Sequence, residues 1–391
     1  MGGYIPIPSV PPPSFVDDAD GLDVNLILND MIAAWEASTG KTLYPAQVER
    51  LFIGAYAYRE SLVRAQIQYA GLQCLLAFSN YPAIDYLGQL LGVTRLAAQP
   101  ATTTILFTLA NALTVPFTIP AGTQVGTQDG LAIFATNTDL IIQAGQTTGS
   151  VAATATVSGV AGNGYLAGQV SILITPSTFI ASAANTTQTS TGSAPETDAH
   201  LRMRIQAAPS RFSNAGPVGA YRFFALGVDS SIMDAQVISP APGQVSVYVL
   251  CGPSPQPAAS PNPVGIPGSA LLAEVLAALT ADTIRPLTDT VAVLAATEVD
   301  YAIVGSVTLY SDADPTSTMA AVNTAAQEFA ANAAARLQRN IVMSQIIAAL
   351  SVPGVYEVNL SAPASDLILA PGQWANCTAI NLTSLVGSEH S

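Results

Sequence analysis

The sequence predicts an α+β multidomain chain: an N-terminal helical region, a central antiparallel β domain, a helical pair, and C-terminal α+β domains. Three observations carry this. The hydrophobic period is helical up to about residue 95, becomes two from Thr102, and is mixed after residue 230. The 391 residues exceed one ordinary domain. The stretch Pro195–Leu226 reads as two short helices that separate Gly/Thr-rich β sequence from α/β sequence. The expected division is a proline-rich arm over 1–19, a helical domain over 20–98, and a β domain over 99–185. The helical pair with an α+β domain then fills 186–296, and a C-terminal α+β domain with a short tail fills 297–391.

Pro6, Pro8, Pro11, Pro12 and Pro13 favour polyproline II, as a disordered tail or as an arm lying on a neighbour. Asp17, Asp18, Asp20 and Asp23 lack the glycine and distal glutamate of a calcium loop. They lead instead into a helix over Val24–Ala37, where acids suit the positive end of the dipole. A second helix is expected over Pro45–Phe78, with Val48, Leu51, Phe52, Ala55, Leu62 and Ile67 as its apolar positions. A third, Ile84–Leu91, ends at Gly92. Gly40-Lys41-Thr42 looks like the tail of a phosphate-binding loop. The glycine required five positions earlier is Trp35, and a helix precedes the loop, so nucleotide binding is excluded.

From Thr102, short alternating strands recur: Val115–Ile119, Leu131–Ala135, Leu140–Gln143, Ser150–Val157 and Gln169–Thr175, separated by glycine turns. Residues 181–194 read as a connector. In the helical pair, Leu201 and Ile205 share one face, Pro209 stops the first helix, and Gly216-Pro217 starts the second. Strands Ile232–Ile238 and Val245–Leu250, a proline-rich loop over 252–267, a helix Ser269–Thr280 and a strand Thr290–Leu294 follow. The last domain reads as strand Val299–Tyr310, helices from Pro315 to about Leu337 and over Met343–Leu350, strands Tyr356–Leu360 and Asn376–Leu382, and a polar tail from Ser384.

Net charge is −14 and the pI about 4.3, which disfavours nucleic acid and anionic membranes. Charged residues are 10% of the chain, against about 25% in a typical soluble domain. Mean hydropathy is +0.41, yet no run is apolar for long enough to span a bilayer. Abundant alanine and threonine explain part of this; burial against other subunits is the sharper reading. Cys74, Cys251 and Cys377 form no metal or redox motif and read as buried thiols made in a reducing compartment. The first residues lack the pattern of a secretion signal, so cytoplasmic synthesis is expected.

No catalytic constellation emerges, and no cofactor or metal site is expected. His390 lies in the tail. His200, beside Asp198 and Arg202, reads as a solvated or capping residue. A carboxylate pair acting on glycans stays open, because such pairs meet in space. Arg202, Arg204, Arg211 and Arg222 are four of only twelve basic residues. With Glu196 and Asp198 they are the candidates for fixing a joint or a subunit contact through arginine–carboxylate pairing.

Four blocks resemble the baseplate J-like family of contractile phage tails and related injection machines. They are Val115-Pro116-Phe117-Thr118-Ile119-Pro120-Ala121-Gly122-Thr123 with Gly130 and Phe134-Ala135-Thr136; Gly159-Val160-Ala161-Gly162-Asn163; Glu196-Thr197-Asp198, Leu201-Arg202 and Arg204-Ile205 through Gly216-Pro217 to Tyr221-Arg222 and Ala225-Leu226; and Ile284-Arg285-Pro286-Leu287-Thr288-Asp289. Leu87-Gly88 before Gly92 also fits, whereas the 252–267 loop looks longer than usual. The resemblance implies a structural wedge protein of the virion tail baseplate, assembled in the host cytoplasm, that forms dimers and a ring with copies of itself. It implies contacts with a second wedge protein carrying tail fibres, with the central hub and with sheath-proximal baseplate proteins, and a rearrangement on contraction. It brings no catalytic residues. A tail-associated glycan or peptidoglycan hydrolase and a receptor-binding adhesin are the alternatives.

Overall fold

A computed structural model describes residues 11–16, 22–212, 217–252, 265–281, 284–286 and 288–386. The start of the arm, Asp17, Asp18, Asp20, Gly216, most of the 252–267 loop, Leu287 and the end of the tail with His390 lie outside the described residues. The chain divides into two units: Met1–Arg95 with Leu201–Gln206, and Leu96–His200 with Ala207–Ser391.

In the smaller unit, α1 spans Val24–Thr39. The Asp23 side chain accepts the Asn25 N–H at its start, and Gly40, at φ 67°, ends it in the left-handed region. The long helix α2 spans Val48–Gln73 and packs against α1; α3 spans Ala83–Leu90. The expected apolar positions of α2 are not its packed ones. Leu51 is 69% exposed and Phe52 63%, with Val48, Leu62 and Ile67 also exposed. The residues α2 buries are the small Ala57 and Ser61, which permit close approach to a neighbour. Among the described residues, the bulky side chains of α2 stay largely exposed.

Residues 13–15 of the arm lie on α2. The Gln68 amide donates to Pro13 O and accepts from Phe15 N–H, at 2.8 and 2.7 Å. The Phe15 ring covers Gly71, where a Cβ would come within 2.5 Å of it.

The larger unit begins with the β domain. Its strands are β1 (Pro100–Leu109), β2 (Phe117–Ile119), β3 (Gln124–Thr127), β4 (Ile133–Thr136), β5 (Leu140–Ile142), β6 (Thr148–Ser158), β7 (Val170–Leu173) and β8 (Ile180–Asn185). Six of them form one sheet in the order β7-β3-β4-β6-β1-β8, with antiparallel neighbours throughout; β2 and β5 pair separately. Alternation along β1 sends Ile105, Phe107 and Leu109 into a core with Val125, Phe134 and Val170. β3 and β8 were not foreseen, and β8 overlaps the expected connector. Both are short and poor in large side chains, so their strand character comes from partners far along the chain.

The two ends of the sheet meet, so that it nearly closes into a barrel. Asn185, 2% exposed, ties the closure. Its Oδ1 accepts from Val170 N–H, and its Nδ2 donates to Leu166 O and Thr187 O.

Helix α4 (Asp198–Ala207) runs into a 3-10 turn over Ala208–Phe212 that contains Pro209; α5 is Val218–Leu226. Pro217 takes the capping position rather than the first helical one. In the middle domain β9 (Ile232–Ile238) pairs antiparallel with β10 (Gln244–Cys251). β10 pairs parallel with β11 (Thr290–Ala295), and α6 (Ser269–Leu279) makes the crossover.

The C-terminal domain is β12 (Thr297–Leu309), α7 (Pro315–Ala334), α8 (Met343–Leu350), β13 (Val355–Ala362) and β14 (Gln373–Val386). Its sheet order is β13-β12-β14, over a core that includes Ile303, Val307, Val322, Phe329 and Ile346. The last strand is longer than expected and takes up the first residues assigned to the tail. Leu250, Ala296, Ala334, Leu337 and Trp374 form a further cluster that joins the middle and C-terminal domains. Among the described residues no helix is long and apolar enough to cross a membrane.

Asn185→Ala removes three buried hydrogen-bond partners at the barrel closure. We expect a loss of about 2–3 kcal/mol of unfolding free energy, read by chemical denaturation with hydrogen exchange on β7 and β8. An unchanged midpoint would show that the closure does not depend on it.

Candidate functional site

The six candidate residues surround α4 and α5 but fall into separate sets of contacts. The first is at the start of α4. The Thr197 hydroxyl accepts the His200 N–H, and Asp198 stands half-buried in the first turn. Glu196 is 3% exposed. Its N–H donates to Leu96 O, and its Oε2 accepts the Leu96 N–H at 2.9 Å, a reciprocal tie across 100 residues of chain. Its Oε1 lies 2.5 Å from His200 Nδ1, while His200 Nε2 lies 2.7 Å from Ile232 O. His200 is therefore not the solvated or capping residue expected from its place in the helix. Both ring nitrogens face protein oxygens, so neither is open to a substrate in this arrangement.

The second set belongs to the smaller unit. Arg202 donates from Nε to Leu76 O and from an Nη to Ser79 O, at 2.7 and 2.6 Å. These carbonyls lie just beyond the C-terminus of α2, where backbone oxygens lack helical donors. Arg204, 6% exposed, donates to Thr94 O. A Cβ on Gly88 would come within 2.7 Å of Val93 O and 3.2 Å of the Ile205 side chain, which is why α3 carries a glycine there. The contacts of Arg202 here are thus two backbone carbonyls.

The third set ties the middle domain. Arg222 donates to Ala235 O and, at 2.7 Å, to Asp234 Oδ1. Asp234 Oδ2 accepts the Leu337 N–H from beyond α7, 103 residues away. On the other side of α5, the buried Tyr221 hydroxyl donates to Asp289 at 2.8 Å. Burial pushes its ionisation well up, and the Asp289 carboxylate adds to this. Arg211 instead lies over aromatic rings, 4.9 Å from Phe212 and 5.9 Å from Phe223. Asp234 was missed from sequence, and Asp289 was noted only as part of an identifying block. The available signal was an aspartate inside the apolar strand IMDAQVI.

The other identifying blocks hold turns in the same way. Thr123 and Thr136 both donate to Pro120 O, next to Gly122 at φ 81°. Asn163 exchanges two hydrogen bonds with the backbone of Gly192, at 2.7 and 2.8 Å. Of the cysteines expected to be buried, Cys251 and Cys377 are, whereas Cys74, just past the end of α2, is exposed; burial pushes the Cys251 thiol up to about 12, with Asp229 adding to the effect, so it is not a poised thiolate. Among the described residues no group of three or more His, Cys, Asp or Glu could hold a metal ion.

The chain is a series of small domains, with polar contacts between segments far apart in sequence. Four family models match successive stretches, described as the Baseplate J-like protein N-terminal domain (51–102), barrel domain (104–192), central domain (213–295) and C-terminal domain (301–383). The chain belongs to the baseplate J-like family. It is 36% identical over 183 residues to "Baseplate protein J" of Escherichia phage P2; the match spans 47% of this chain and 57% of that relative's length. A chain in the cryo-EM structure of the anti-feeding prophage baseplate, 6-fold symmetrised, is similar at a TM-score of 0.41 and 15% identity, covering 90% of each chain.

Asp234→Ala leaves the Arg222 guanidinium and the Leu337 N–H without this acceptor, and we expect a cost of about 2–4 kcal/mol. Arg202→Ala should cost about 1.5–3 kcal/mol and raise hydrogen exchange around the end of α2. Chemical denaturation of both variants checks this; wild-type stability in either would remove its contact from the account.

Proposed function

We propose that this chain is a structural component of a contractile-tail baseplate and not an enzyme. The observation that carries the reading is the match of four baseplate J-like domains in chain order, together with the likeness to the P2 protein. In finer detail, we assign it to the wedge. There it would join copies of itself into a ring around the central hub and meet a second wedge protein carrying fibres, as well as sheath-proximal baseplate proteins. Contraction would shift these contacts between two arrangements.

Two features support an assembly role. Bulky apolar side chains of α2 stay exposed, including Phe52, Tyr56 and Val63, as in surfaces that an assembly covers. The polar groups that stand out in sequence are engaged in holding turns and domain contacts. On this reading Glu196, Asp198, Arg202, Arg204, Arg211 and Arg222 act as the joint that keeps subunit-binding surfaces at fixed angles.

The test is to locate a tagged copy in purified particles by electron microscopy, and to image particles made without the chain. We expect label at the baseplate, and tails lacking a complete baseplate when the chain is missing. Intact baseplates formed without it would overturn the proposal, as would glycan release by the purified chain that one Asp or Glu substitution abolishes.

A further inference from the structure

The proline-rich arm meets α2 at two residues one turn apart, Gln68 and Gly71. The Gln68 Nε2 donates to Pro13 O, and its Oε1 accepts the Phe15 N–H. In an extended segment the carbonyl of one residue and the amide of the residue two further on point to the same side. One carboxamide therefore satisfies both, in the place a neighbouring strand would take. Beside it the Phe15 ring lies on bare helix backbone. A Cβ at position 71 would come within 2.5 Å of the ring carbons Cγ and Cδ2. A helix interior disfavours glycine, and the ring supplies a reason for this one. Gln68 reads only backbone; Gly71 adds selectivity for a flat ring two residues after the bonded carbonyl.

The bound segment suits such a site. Pro11, Pro12 and Pro13 favour an extended backbone before docking, so little freedom is lost on binding. The Ser14 hydroxyl bonds within the segment, to Val16 O. Phe15 stays 46% exposed, and both hydrogen bonds to α2 use a side chain only, so the ladder of the helix does not depend on the arm. The position on α2 is also specific. Ala57, Ser61, Arg64, Gln68 and Gly71, spaced by four and three residues, form one row that is buried or half-buried throughout. Phe52, Tyr56, Arg59, Val63 and Gln66 repeat that spacing on the other side and are all exposed. The arm lies on the last two members of the covered row.

We infer that Gln68 and Gly71 form a peptide-binding site for an extended, proline-led segment with an aromatic residue two positions after the bonded carbonyl, and that the chain's own Pro13–Phe15 fills it as a releasable strap. Residues 17–23 alone separate Val16 from the start of α1. A tether this short holds the arm at an effective concentration on the order of millimolar, which favours it over the arm of another copy. The strap carries the covered row of α2 into its last turn and leaves the opposite row as the open side.

The test uses the purified full chain. Hydrogen exchange, read by mass spectrometry on a fragment covering residues 11–16, reports the amides of Ser14, Phe15 and Val16, because the prolines have none. We expect one of these amides to exchange at least about tenfold more slowly than in the synthetic hexapeptide of the same residues, at a rate independent of protein concentration. Gln68→Ala, a change that suits a helix, should restore the hexapeptide's rate without moving the thermal midpoint. Wild-type exchange at the hexapeptide's rate overturns the inference. So does slowing that grows with protein concentration, which would put the arm on a second copy. The labelled hexapeptide then tests the site itself. It should bind Phe15→Ala, whose own arm is loosened, at least about tenfold more tightly than wild type, and Gln68→Ala added to Phe15→Ala should remove that gain. Equal or undetectable binding to all three proteins overturns the site as a reader of peptides.

Discussion

The Asp234 carboxylate is the contact on which the second half of the chain depends. It receives Arg222 from α5 and the Leu337 N–H from beyond α7, while its own strand supplies the Ala235 N–H. One half-desolvated ion pair thus links a helix, a strand and the next domain. Its value lies less in net stability than in geometry, because a buried pair is costly to break but not strongly stabilising to make. The apolar cluster around Leu250, Leu337 and Trp374 supplies the hydrophobic part of the same junction.

The charge-poor composition gives this arrangement its meaning. With twelve basic residues in 391, each arginine is a scarce donor. Arg202 and Arg204 are used on backbone carbonyls, Arg222 on a carboxylate, and Arg211 on aromatic faces. Arg95 makes a two-pronged pair with Asp85. These groups fix the directions of segments. They leave large apolar areas, such as the outer side of α2, to surfaces that the chain alone does not cover.

Chemistry and structure converge on the same residues. Glu196 and His200 resemble parts of a catalytic pair when seen in a line of sequence. In the fold the carboxylate is committed to Leu96 and the imidazole to Ile232 O, so both serve the entry of α4. The residues that carry the family resemblance, among them Pro120, Asn163 and Asp289, are likewise explained by the turns and segment contacts they hold.

Local pattern determined much of this protein. Periods of 3.6 and two located α1, α3, α8, β6 and β9 within a few residues, and glycine and proline marked their ends, because side-chain alternation and capping act over a single turn or strand. The α+β class and the order of its parts were legible for that reason. Tertiary structure decided which distant groups meet. The strand β8 exists because β1 lies beside it, and its Asn185 closes the barrel onto β7. Asp234 meets Leu337 across 103 residues of chain. The pattern along α2 showed that it has apolar positions, but not whether the same chain would cover them. Periodicity records which side of an element avoids water; the partner on that side is set by topology and by the rest of the assembly.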